Sequence, residues 1–156
     1  MKRSEIVRAI VLAAMYAVLV NVFHPISFMT IQVRVANALI GIVPLFGMPA
    51  VYGLTLGVFL ANLTSPLGLI DWFSFIPSFI GLMIVYKLRK FSVFIGLVLY
   101  SILLGAWVAF MLWYIFGAPY IITFIYVTSG ITIATAGLGY LVYKTLSKIG
   151  VRVFTQ

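Results

Sequence analysis

The chain has 156 residues, 65% of them hydrophobic and 8% charged, with no cysteine. A soluble domain carries about a quarter charged residues and could not hide this much apolar surface, so a soluble globular protein is excluded, and so are a disulfide framework and thiol chemistry. The net charge of +8 would suit nucleic acid, but the basic residues group at loops and ends and not on one face, which is the pattern of membrane topology.

A bilayer-spanning helix needs about 20 apolar residues. The first span reads from Ile6 to Phe23 and ends at His24-Pro25. The second and third occupy 35–47 and 49–63, separated by the Pro- and Gly-rich turn "PLFGMPA". Both are short, so two full spans and a re-entrant hairpin stay open. The fourth covers 72–86 and the fifth 91–116, after which "GAP" turns the chain. The sixth covers 120–143. No removable signal peptide is expected, because no short apolar segment and cleavage site precede a polar domain. The expectation is an all-α polytopic membrane protein, one domain over residues 1–156, built as a bundle of six transmembrane helices.

Charge tests that count. Lys2, Arg3 and Arg8 precede span one; Lys87, Arg89 and Lys90 lie between spans four and five; Lys144, Lys148 and Arg152 follow span six. With six spans all three clusters fall on one side, the cytoplasm, and both termini are cytoplasmic. A single span over 35–63 would put the first cluster opposite the other two. Between Arg8 and Lys87 only Arg34 and Asp71 are charged, and six spans bring both to the outer side.

Two stripes of small residues follow helical spacing. Ala9, Ala13 and Ala17 share a face of span one, and Gly53, Gly57 and Ala61 a face of span three. Small residues let helix backbones approach closely in lipid. The glycine stripe reads as packing within the bundle. The alanine stripe suits either internal packing or docking to another membrane subunit.

Ligand candidates gather on the outer side. In "TIQVRV" Thr30, Gln32 and Arg34 alternate with apolar residues, which makes a two-sided extended segment able to lie over the bundle as a lid. Arg34 either snorkels to lipid phosphates or serves as a planar donor to a carbonyl or anion. Asp71, in "GLIDWFSF", is either a helix N-cap or a ligand carboxylate, and Trp72 beside it either a stacking face or an interfacial anchor. Asn37 and Asn62 are amides within apolar helices, so each meets another helix or a ligand. "NLT" at 62–64 matches a glycosylation sequon, discounted because Asn62 lies within the membrane. In span six most of Thr128, Ser129, Thr132 and Thr135 should bond back to their own helix, although the stretch could line a cavity with Tyr126.

Absences narrow the class. There is no GxxxxGK[ST] phosphate loop, no nucleophile–base set and no metal-ligand cluster, the lone His24 included. No enzyme, no cofactor and no metal are expected.

A small six-span protein carrying the alanine stripe, "IQVRVANALIG", "GLTLGVFLANL" and "GLIDW" resembles the QueT family over residues 9–85, more weakly afterwards. Those proteins are substrate-binding S-components of energy-coupling factor (ECF) transporters, associated with uptake of queuosine precursors. The resemblance implies a ligand held near the outer face under loop one. It implies that Ala9, Ala13 and Ala17 dock onto a transmembrane coupling subunit driven by two ATPase subunits, in the plasma membrane. It makes Gln32, Arg34, Asn62 and Asp71 candidate ligand contacts, with Asn37 and Trp72 beside them, for a 7-deazapurine or similar heterocycle. The chain departs from the family pattern at Asn37, where "SEAL" is common, and at Gly130-Ile131, where "GE" is common, so two carboxylates suited to a deazapurine's donor edge are missing. An S-component for a different vitamin, or a scaffold subunit without a ligand, are the alternatives.

Overall fold

The computed structural model describes residues 2–27 and 33–150; Thr30, Ile31 and Gln32 of loop one and the tail from Val151 lie outside the described residues. Among the described residues there are helices and turns and no strand. Six helical stretches follow one another: α1 Arg3–Val22, α2 Val35–Phe46, α3 Met48–Asn62, α4 Leu69–Leu88, α5 Val93–Phe116 and α6 Tyr120–Lys148. The protein is an all-helical membrane protein.

Four of these, α1, α4, α5 and α6, run 20, 20, 24 and 29 residues and are long and apolar enough to cross a bilayer. At 1.5–2.0 Å of rise per residue, α2 and α3 each reach only about 22 Å, against ~30 Å of hydrocarbon. The helix expected over 120–143 continues to Lys148, where Lys144 and Lys148 place cations on its last turns, the favourable sign for a helix C-terminus. Large apolar side chains such as Val18, Val22, Ile121 and Ile125 are exposed on the outside of the bundle, as lipid requires, while Val20, Leu54, Leu82 and Leu97 are fully buried.

Punctuation residues set the turns. Gly47 has φ 67° and separates α2 from α3, whose first turn takes Pro49, a position where the missing N–H costs nothing. Gly117 closes α5 in the left-handed conformation, with its N–H donating to the Trp113 carbonyl, and Pro119 follows. At the other end of α5 the Ser92 hydroxyl accepts from the Ile95 N–H.

Two helices depart from α geometry. The first turns of α2, Val35–Ile42, are 3-10, and the middle of α6, Ile133–Gly139, is π-helical. The two segments lie against each other, with Gly41 and Gly139 backbone to backbone.

The glycine stripe of α3 meets α1: Gly53 lies on the Ala9 backbone, and Gly57 on Ala13 and Tyr16. This turns the alanine stripe inward. Ala13 is only 2% exposed, and Ala9 and Ala17 are partly buried. Packing within the bundle, one of the two readings of the stripe, is thus met at Ala9 and Ala13 by the protein's own third helix. Small residues on both sides allow that approach in lipid, where dispersion drives association.

The connections gather at two ends. At one, His24 Nε2 lies 3.2 Å from the Thr64 carbonyl, and Thr64 Oγ1 donates to Asn21 Oδ1 at 3.0 Å, so the α1–α2 and α3–α4 connections are tied together. At the other, Arg89 stacks over the Tyr86 ring at 4.0 Å beside the Gly47 turn. Asn62, which ends α3, lies toward the first end, and Arg34 and Asp71 meet it there.

Candidate ligand-binding site

Arg34 opens α2 and turns into the bundle, 6% exposed. It does not snorkel. Its Nη1 donates to Asn62 Oδ1 at 3.1 Å, its Nε to the Ser27 carbonyl at 3.4 Å, and its Nη2 stands 3.6 Å from Asp71 Oδ2. Three elements distant in sequence therefore meet at one guanidinium: the turn after α1, the last residue of α3 and the first turn of α4.

Asp71 is fully buried, and side chains surround its carboxylate. Ser65 Oγ donates to Oδ2 at 2.5 Å, Ser74 Oγ to Oδ1 at 2.5 Å, and Asn62 Nδ2 to Oδ1 at 3.1 Å. No backbone amide takes it as an N-cap among the described residues. Asn62 Nδ2 also donates to the Asp71 carbonyl at 3.1 Å, so both ends of this buried amide are engaged, and Asn62 is inaccessible to glycosylation. Trp107 of α5 donates its indole N–H to Ser74 Oγ at 2.7 Å and extends the network to a further helix. Trp107→Phe keeps an aromatic ring and removes this donor. It should cost about 1 kcal/mol, the net worth of one such bond, read as an earlier denaturation midpoint in detergent.

Beside Arg34 is a cavity of about 10 Å³, lined by Tyr16, Arg34, Asn37, Ser78 and Tyr100 on its polar side. Leu104, Val108 and Ile131 form its apolar wall. The Tyr16 hydroxyl donates to Asn37 Oδ1 at 2.7 Å, and Ser78 Oγ lies 3.2 Å from Tyr100 OH. The cavity holds about one water and is far below the ~300–1,000 Å³ of an occupied small-molecule site. Its chemistry, however, is concentrated: five polar side chains from α1, α2, α4, α5 and the residue opening α2 converge inside an apolar bundle.

Arg34, Asn37, Asn62 and Asp71 are brought together as one neighbourhood, but in two layers. Arg34 and Asn37 line the cavity. Asn62 and Asp71 stand behind Arg34 and hold it. Trp72 is 37% exposed and is not on the cavity lining. Gln32 lies outside the described residues. In α6, Ser129 and Thr132 donate back to the carbonyls of Ile125 and Thr128 at 2.7 Å, whereas the buried hydroxyls of Thr128 and Thr135 do not, so two of the four hydroxyls, not most, follow the helical pattern among the described residues. Tyr126 is exposed, and it is Ile131 that α6 contributes to the cavity.

Tyr16, Ser78 and Tyr100 are lining residues that the sequence did not single out. The two tyrosines carried a usable signal. Each lies in mid-span, away from the interfacial belt, where a phenol must find a hydrogen-bond partner inside the protein.

A family described as QueT transporter matches residues 6–148. No curated protein and no solved structure matches the chain.

Proposed function

The chain belongs to the QueT transporter family, whose members are ECF S-components, and from that premise we propose that it captures a queuosine precursor, a 7-deazapurine, at the outer face of the plasma membrane. Both termini are then cytoplasmic, with the basic ends of the helices inside, and a transmembrane coupling subunit with two ATPase subunits drives release.

One observation supports this reading: the cavity beside Arg34, to which α1, α2, α4 and α5 bring polar side chains inside a largely apolar bundle. Polar and ionisable groups inside a membrane protein are expensive and tend to serve a ligand. Arg34 is held by Asn62, Asp71 and the Ser27 carbonyl, so its planar donor face is oriented before a ligand arrives. Tyr16 and Tyr100 supply aromatic surface for a flat ring, and Leu104, Val108 and Ile131 the apolar side. Because the cavity is about 10 Å³, entry of a heterocycle requires this apolar wall to part from the polar side.

Thermal shift and equilibrium binding on the purified protein with queuine, preQ0 and preQ1 test the proposal. A ligand at 100 times its Kd should stabilise the fold by about 2.7 kcal/mol. Arg34→Ala should weaken binding by about 100-fold, the cost of removing a charged hydrogen-bond donor. Absence of binding by all three compounds, with no heterocycle co-purifying by mass spectrometry, refutes it.

A further inference from the structure

Asn37 sets the hydrogen-bonding sense of the cavity, and the specificity drawn from it rests on the cavity being the ligand site. Asn37 is 3% exposed and lines the cavity. An amide offers one acceptor oxygen and two donor hydrogens. Here Oδ1 is turned to Tyr16 and accepts its hydroxyl at 2.7 Å, which fixes the orientation of the amide. Among the described residues no acceptor meets Nδ2. The donor end of a buried amide is therefore the end left for a ligand.

The rest of the lining has the same sense. Arg34 is donor-only. Ser78 and Tyr100 are hydroxyls bonded to each other, and the pair adapts to either sense, with one hydroxyl hydrogen still to be given. The nearby carboxylate, Asp71, does not line the cavity, and its oxygens are met by Ser65, Ser74 and Asn62. No carboxylate lies on the lining, and its one amide oxygen already accepts from Tyr16, so donors outnumber the acceptors left to meet an amino group. We infer that the cavity selects a ligand whose buried edge is a hydrogen-bond acceptor, such as the keto oxygen of a lactam ring, and that Asn37, oriented by Tyr16, is the residue that determines this specificity. An amino group at that edge would face the Asn37 N–H donors and leave both unpaired.

The test compares two pairs of rings that differ only in keto oxygen against amino group: preQ0 with its diamino analogue, and pterin with diaminopteridine. Binding is measured to the full chain in detergent. The expected result is a keto preference of at least about 100-fold, since sites built around a hydrogen bond reject the mismatched analogue strongly. Asn37→Asp replaces the donor end by an acceptor and should narrow or invert that ratio by about 10-fold or more, each 1.4 kcal/mol being a factor of ten. Tyr16→Phe introduces no charge and frees the amide to turn its oxygen to the ligand, so it should narrow the ratio as well, and it serves if Asn37→Asp does not fold.

Keto-selective binding of pterin with no binding of either deazapurine would remove the queuosine-precursor reading and uphold the role of Asn37. A ring bound equally well in keto and amino form, or a ratio that neither variant changes, overturns the inference and leaves the substrate reading intact. If none of the four rings binds, the inference falls, and the queuosine-precursor reading falls with it if queuine and preQ1 fail as well.

Discussion

Replacing Asp71 by alanine should destabilise the protein by about 3–5 kcal/mol, the cost of removing one partner of a buried ion pair. The geometry supports the upper part of that range. Asp71 and Arg34 face each other at 3.6 Å with side chains 0% and 7% exposed, so water does not screen them. Alanine at 71 also takes the acceptor from Ser65 and Ser74, each at 2.5 Å, and from Asn62 at 3.1 Å. Each buried donor left without a partner adds its own desolvation cost. The pair as a whole is a different matter. Burying two charges is expensive, and apolar replacements of similar size are often neutral or better. The double substitution Arg34→Met with Asp71→Leu should therefore recover the part of the loss that comes from an unpaired buried charge, though not that of the Ser65, Ser74 and Asn62 donors, while leaving ligand capture abolished. Denaturation in detergent gives the stabilities and equilibrium binding gives the second readout. If Asp71→Ala unfolds within about 1 kcal/mol of the wild type, the network is not what holds this end of the bundle. If the double variant still binds ligand, Arg34 does not contact it.

That network was partly visible in the chain. Arg34 and Asp71 stand alone in a long uncharged stretch, and the span count with the positive-inside rule brings them to one side. Asn62 was visible as an amide that had to find a partner. Their division of labour was not. Sequence shows that a carboxylate is near an arginine but not whether it points to a ligand or to that arginine, and Ser65 and Ser74, which engage the Asp71 carboxylate, are an ordinary loop serine and an ordinary serine near a helix start in the sequence. The small-residue stripes had the same ambiguity. Spacing shows that a backbone comes close at Ala9 and Ala13, but only the pairing of α1 with α3 shows that the backbone belongs to Gly53 and Gly57. Many aromatic side chains lie on the outside, Phe91, Trp113, Tyr114 and Phe116 among them, and aromatic content alone does not tell these from Tyr16 and Tyr100 on the cavity. The 3-10 and π segments had no local signal. A one-residue change in hydrogen-bond register is small in energy, and packing between helices decides it, not propensity.

The contact between those two segments is where a single methyl group should do the most damage. Gly41→Ala should lower stability by about 3 kcal/mol, the upper end of typical overpacking or beyond it. A Cβ at 41 would overlap the carbonyl oxygen, carbonyl carbon and Cα of Gly139. All three are backbone atoms, so no rotamer change relieves the clash, and α2 must move away from α6. The movement reaches the site, because the 3-10 turns that carry Gly41 also carry Asn37, whose bond to Tyr16 at 2.7 Å fixes its amide. Affinity should therefore fall together with stability. Gly137→Ala is the control. It lies in the same π segment as Gly139, but a Cβ there meets nothing within 4 Å. That variant should be neutral or more stable by up to about 1 kcal/mol, the propensity difference between glycine and alanine in a helix. Thermal denaturation of the two variants side by side separates close backbone contact from a general need for glycine in a distorted helix. Equal loss at both positions would mean that the π geometry, and not the approach of α2, is what requires glycine. Loss at Gly41 alone, with binding reduced in parallel, ties the register of α2 directly to the cavity.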